Sequence, residues 1–110
     1  MTTPGNELRG LRGVGPAIER DLHRLGVRSV EELAAADPDA LFVELRRLAG
    51  GPVDPCVLDV FRCAVAQARD PALPAQRRDW WWWSRARKSG RLAPVPRMDG
   101  DDASSPRRSR

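Results

Sequence analysis

Three prolines divide this 110-residue chain into short segments. Pro16, Pro38 and Pro55 each follow a residue suited to open a helix, namely Gly15, Asp37 and Asp54. Proline at the first helical position loses nothing, because its missing N–H would have had no intrahelical partner, and its ring already holds a helical φ. An aspartate just before it supplies a carboxylate for the next free N–H groups. The spacing of these starts leaves room only for short helices joined by short turns.

The apolar pattern agrees. Ile18, Leu22 and Leu25 lie at i, i+4 and i+7 on a helix from Pro16 to Leu25, and Gly26 sits where a left-handed cap is wanted. Ser29-Val30-Glu31-Glu32 has the Ser-x-x-Glu capping form and begins a short helix through Ala36. Behind Pro38, Leu41, Leu45 and Leu48 share a face with Phe42 beside them, and Gly50-Gly51-Pro52 ends the helix. The helix from Pro55 is the most apolar. Val57, Leu58, Val60, Phe61, Ala64, Val65 and Ala68 leave only the narrow polar stripe of Asp59, Arg62 and Arg69, as expected for a helix at the centre of a core. Residues 5–10 read as a short first helix pinned by Leu8 and Leu11. No strand pattern competes, so the fold class is all-α: a compact bundle of four to five short helices over residues 5–69, near the lower size limit for an independent core.

Residues 70–83 read as a linker followed by the run Trp80-Trp81-Trp82-Trp83. Residues 84–110 are rich in Arg, Ser, Pro and Gly, a composition expected to remain a basic, disordered tail. Charge follows the same division. Residues 1–69 hold nine Arg against ten acidic groups, whereas residues 70–110 hold ten basic groups against five acidic ones. Phosphate binding by the folded part is therefore expected to be local rather than spread over a basic face.

Several function classes find no support. There is no apolar run long enough to span a bilayer and no charged-then-apolar leader, so a cytoplasmic, bacterial protein is expected, without membrane contact. Cys56 and Cys63 lie seven residues apart on one helix, about 10 Å at 1.5 Å per residue, too far for a mutual disulfide. They read as buried structural thiols. With His23 the only imidazole there are too few ligands for zinc, and no paired acidic cluster serves metal-dependent cleavage. The expectation is no catalytic residue, no metal, no cofactor and no enzyme activity.

The remaining signal is Leu11-Arg12-Gly13-Val14-Gly15-Pro16, a tight hairpin running into a helix. Gly13 and Gly15 are expected to supply positive φ angles and bare backbone, and the helix behind them adds its positive dipole end. The expected phosphate contacts are Arg12, Gly13, Val14, Gly15, Ala17 and Arg20. The segment Leu8 to Leu33 resembles the helix-hairpin-helix motif of DNA repair and recombination proteins. That resemblance implies a monomeric module whose hairpin N–H groups meet a duplex DNA phosphate without reading sequence. Ala17 stands where many such hairpins carry Lys or Arg, and Glu19 and Asp21 follow it. The alternative is a packing corner or a protein-docking surface. Leu48-Ala49-Gly50-Gly51-Pro52 faintly echoes the hairpin, with Asp54 beside it to repel a phosphate.

The stretch Asp54-Pro55-Cys56-Val57-Leu58-Asp59-Val60-Phe61-Arg62-Cys63, with tryptophans downstream, resembles the small bacterial pathogenicity-locus family, also labelled mitomycin-resistance-protein-like. The family labels imply a link to DNA damage but describe no chemistry. Four successive tryptophans cannot face one core, since each helical position turns by about 100°. Two or three are expected to dock as a lid, and the family pattern Trp-Trp-x-Trp leaves Trp82 as the outlier. The other reading of Trp80, Trp81, Trp82 and Trp83 is an exposed patch for base stacking or for a protein partner, with the basic residues that follow.

Overall fold

A computed structural model describes residues 8–96. After one 3-10 turn at residues 8–10 come α1 (Pro16–Arg24), α2 (Val30–Ala34), α3 (Pro38–Ala49) and α4 (Pro55–Arg69). A second 3-10 turn, Ala75–Arg78, leads into α5 (Trp80–Lys88). Among the described residues there is no strand, and no helix is long and apolar enough to cross a membrane. The protein is all-α.

The local start and stop signals act as their chemistry dictates. The Asp37 carboxylate accepts the Asp39 N–H and that of Asp54 accepts the Cys56 N–H, each with proline at the first helical position. Ser29 Oγ accepts the Glu32 N–H, but the Glu32 carboxylate reaches back to the Arg28 N–H at 2.7 Å rather than to Ser29 itself. Gly26, at φ +87°, ends α1 in a Schellman turn: the Val27 N–H donates to Leu22 C=O and the Gly26 N–H to His23 C=O.

Helix α4 is central, packing against α2, α3 and α5. Leu58, Phe61, Ala64 and Val65 on it join Leu8, Val14, Leu22, Val27, Leu33, Leu41, Phe42 and Leu45 in one buried cluster. Each fully buried large apolar side chain contributes roughly 1.5–3 kcal/mol by leaving water, so Leu58, Phe61 and Val65 together outweigh any single cap. Leu48 is not part of the cluster. It is 45% exposed, because the buried stripe of α3 drifts to Phe42, Leu45 and Arg46, where the segment after α5 covers it.

That covering segment corrects the expectation of a disordered tail from residue 84. Ser84 and Ala86 are buried within α5, and the chain turns at Gly90 with the Arg91 and Leu92 N–H groups both donating to Ala86 C=O. Residues 91–96 then run back across the bundle. Arg62 donates to Ala93 C=O at 2.8 Å, Arg46 to Pro96 C=O, and Val95 packs on the core. Composition pointed to disorder because Arg and Pro bury little apolar surface; here arginines on α3 and α4 hold the backbone by its carbonyl groups instead. Residues 1–7 and 97–110, including the start of the expected first helix and the end of the expected tail, lie outside the described residues.

The polar stripe of α4 is only partly solvated: Asp59 and Arg62 are buried and Arg69 is exposed. Arg62 forms a two-pronged pair with Asp39 at 2.9 and 3.0 Å, while Arg69 caps the end of α2 through Ala34 and Ala36 C=O, both at 2.8 Å. Asp59 is fully buried and belongs to α5, through Arg87.

Candidate functional site

The hairpin before α1 is built from inside the fold. Its turn closes with the Val14 N–H donating to Leu11 C=O at 3.2 Å, and Val14 points into the core. Gly13 adopts φ +91°, a conformation that costs an L-residue roughly 1–2 kcal/mol. Gly15 does not. Its φ of −96° is open to any residue, so only one of the two glycines is needed for the turn itself. A Cβ on Gly15 would meet nothing within 4 Å, so the backbone there lies open to an approaching group.

Gln67, on α4, clamps the hairpin. Its side-chain oxygen accepts the Arg12 N–H at 3.0 Å and its amide nitrogen donates to Arg12 C=O at 2.9 Å. The same nitrogen lies 3.5 Å from Cys63 Sγ. Burial pushes the Cys63 thiol up to about 11, and the thiol itself points to Arg77 C=O at 3.6 Å. Cys56 is only partly buried, its thiol also raised, chiefly by desolvation.

Helix α5 locks the other side. Trp80 packs on Gly13, its Cδ1 3.8 Å from where a Cβ would stand, and Asp79 binds the Arg12 guanidinium at 2.8 Å. Arg12, expected to reach a phosphate, is therefore committed both by its N–H and by its side chain. Val14, also expected to contact phosphate, is buried with its N–H given to Leu11 C=O, whereas Ala17 and Arg20 are exposed, and Arg20 meets no carboxylate among the described residues. Glu19 turns inward and pairs with Arg9 at 2.9 Å.

No side chain caps α1. Among the described residues, no acceptor meets the N–H groups of Gly13, Gly15, Ala17 or Ile18. The second glycine turn differs. Gly50 ends α3 in the left-handed region, and the next helix is closed by Asp54, whose carboxyl the Cys56 N–H holds below the usual range. An anion would meet a carboxylate there.

The tryptophans split by helical face. Trp80 lies on the hairpin, while Trp83 donates from its indole N–H to Arg77 C=O at 2.8 Å. Trp82 packs edge-on to Trp83 at 5.2 Å, and Arg77 lies over the Trp82 ring at 5.0 Å. The outlier is Trp81, at 43% exposure, not Trp82 as the family pattern implied. On the same helix Arg87 reaches Asp59 of α4 and Ser84 and Ala86 are buried, whereas Trp81 shares its exposure with Arg85 and Lys88.

Sequence reasoning did not single out Gln67, Asp79 or the Asp59–Arg87 pair. Gln67 left a faint trace, as an uncharged polar residue within the apolar circumference of α4. Among the described residues no three His, Cys, Asp or Glu side chains gather to hold a metal ion. His23 is half-buried on α1, its Nε2 without a partner among the described residues.

The fold and the site define a small all-α domain in which a central helix clamps a glycine hairpin and a tryptophan helix lies across both. The chain belongs to the Pathogenicity locus family (Cdd1), whose family model matches residues 3–89. It is similar to the mitomycin resistance protein McrB of Streptomyces lavendulae, with 34% identity over 87 residues that cover 79% of each chain. No solved structure matches it.

Proposed function

We propose that this protein is a cytoplasmic helix-hairpin-helix module that binds duplex DNA without sequence preference, with no catalytic step of its own. The 3-10 turn, the hairpin and α1 supply the two helical arms and the connecting corner. The observation that carries the reading is the row of open backbone donors at Gly13, Gly15, Ala17 and Ile18, on a helix that has no side-chain cap. Backbone N–H groups at a helix start favour a phosphate, and a phosphate carries no base identity. Arg20 is the nearby side chain left to add charge. Few phosphates are engaged, so binding is weak and its salt dependence shallow. The relative's name concerns mitomycin resistance, and we extend to this chain a role in the response to DNA damage.

A second reading, a protein-docking corner with little DNA affinity, draws on the commitment of Arg12 to Asp79. One variant separates the two. Gly15→Asp has an allowed φ and free space, and aspartate is a preferred residue at that helix-cap position, so the fold is expected to persist or strengthen. The new carboxylate would occupy the open donors and repel phosphate. In a salt titration of duplex binding by the full chain, Gly15→Asp is expected to lose at least tenfold in affinity at low salt. Equal affinities for variant and wild type would overturn the reading.

A further inference from the structure

The charged groups of this molecule fall into paired and unpaired sets. Asp59, Asp39 and Asp79 are each bound by an arginine, respectively Arg87, Arg62 and Arg12, across element boundaries. Arg85, Lys88 and Arg91 are left outside, with no carboxylate partner among the described residues. Trp81, Arg85 and Lys88 sit at i, i+4 and i+7, forming one outward row along α5. Trp82 begins the adjacent row.

Between these rows and the turns that flank the helix lies an open groove of about 640 Å³, with Gln76, Trp81, Trp82, Arg85, Lys88 and Arg91 along its walls. The volume falls within the range of roughly 300–1,000 Å³ typical of ligand sites. No acidic residue lines it. Arg85 lies over the Trp81 ring at 4.5 Å, yet Trp81 keeps much of its surface in water. An indole of that size gains by further burial, and the Arg85 guanidinium covers it only in part.

We propose that this groove is a binding site for a short single-stranded nucleic-acid segment. Unpaired bases stack on the exposed Trp81, while Arg85, Lys88 and Arg91 neutralise the backbone phosphates. Trp82, already flanked by Trp83 and Arg77, is the groove wall beside Trp81. Only the two features together select this ligand. Indole faces alone would accept any apolar group, and cations alone any anion. Flat aromatic surface alternating with negative charge is the chemistry of an unpaired strand, whose bases are free to stack in any sequence. A duplex hides its base faces. The groove starts one residue from Trp80, which packs on the glycine hairpin, but the inference does not depend on what the hairpin binds.

Intrinsic tryptophan fluorescence of the full chain tests the proposal, with oligodeoxythymidine, oligouridine and a blunt duplex as probes. Oligodeoxythymidine is expected to quench the emission in a saturable, salt-sensitive way. Quenching by oligouridine as well would mark the site as indifferent to the sugar and also support the assignment. Trp81→Ala, at a position that packs on nothing in the core, is expected to fold normally and to bind oligodeoxythymidine about tenfold or more weakly by fluorescence anisotropy of a labelled strand. Arg85→Glu with Lys88→Glu is expected to abolish binding. Undiminished strand binding by the folded Trp81→Ala variant would overturn the proposal. So would polyglutamate binding with the same dependence on Trp81, which would make the site one for acidic polypeptide.

Discussion

Arg87, near the end of α5, grips the fully buried Asp59 of α4 with two parallel hydrogen bonds of 2.9 Å each. The Asp59 hydrogen bonds raise the Arg87 pKa above its ordinary value. This contact ties the tryptophan helix to the central one. It therefore sets where Trp80 and Asp79 meet the hairpin, and which tryptophan is turned to solvent.

The first prediction concerns that pair. Arg87→Ala leaves a carboxylate buried without compensation and is expected to cost about 3–5 kcal/mol in urea unfolding. Replacing both partners with apolar residues, Asp59→Leu with Arg87→Met, removes the desolvation cost along with the attraction. That double variant is expected to lie near the wild type or above it. If Arg87→Ala alone unfolds within 1 kcal/mol of wild type, to order of magnitude, the pair is not formed in solution.

The two hairpin glycines are expected to respond differently to alanine. At Gly13, with φ +91°, the substitution forces a left-handed L-residue and costs about 1–2 kcal/mol. At Gly15 the backbone is ordinary and the space empty, so stability stays within about 0.5 kcal/mol. Thermal unfolding of the two variants measures the difference; equal costs would contradict the observed turn.

Cys63 makes stability depend on pH in the alkaline range. The unfolded thiol releases its proton near its ordinary value of 9.0, while burial holds the folded thiol to about 11. Between those values the folded state binds the extra proton. The stabilisation is therefore full below 9.0 and is lost as pH rises toward 11, by at most about 2–3 kcal/mol. Because Cys56 is also raised, the measurement belongs in a Cys56→Ala background. Urea midpoints from pH 7.5 to 10.5 are expected to fall less steeply once Cys63→Ala is added; parallel profiles would rule out Cys63 as the source.

What was legible in the sequence was local. The starts at Pro38 and Pro55, the Ser29 cap and the Gly26 stop each depend on atoms within a few residues, and each occurs as read. The apolar run of α4 likewise marked it as central before any partner was known. Residues whose role depends on distant segments were misread. Arg12 resembled a phosphate contact until Asp79, 67 residues away, was found to hold it. Leu48 shared a face with Leu41 and Leu45, yet the strap at 91–96 covers Arg46 instead.

The starts of α1 to α4 and the left-handed turn at Gly13 thus follow from short-range chemistry, because caps, prolines and glycines act on their own backbone. Which charges face inward, which tryptophan remains outside and where residues 91–96 run were decided by packing. An Asp–Arg pair spanning 28 residues and arginines anchoring carbonyls on the returning strap have no local signature. Their formation depends on the free energy of the assembled core, since only there are the charges far enough from water for the pairing to matter.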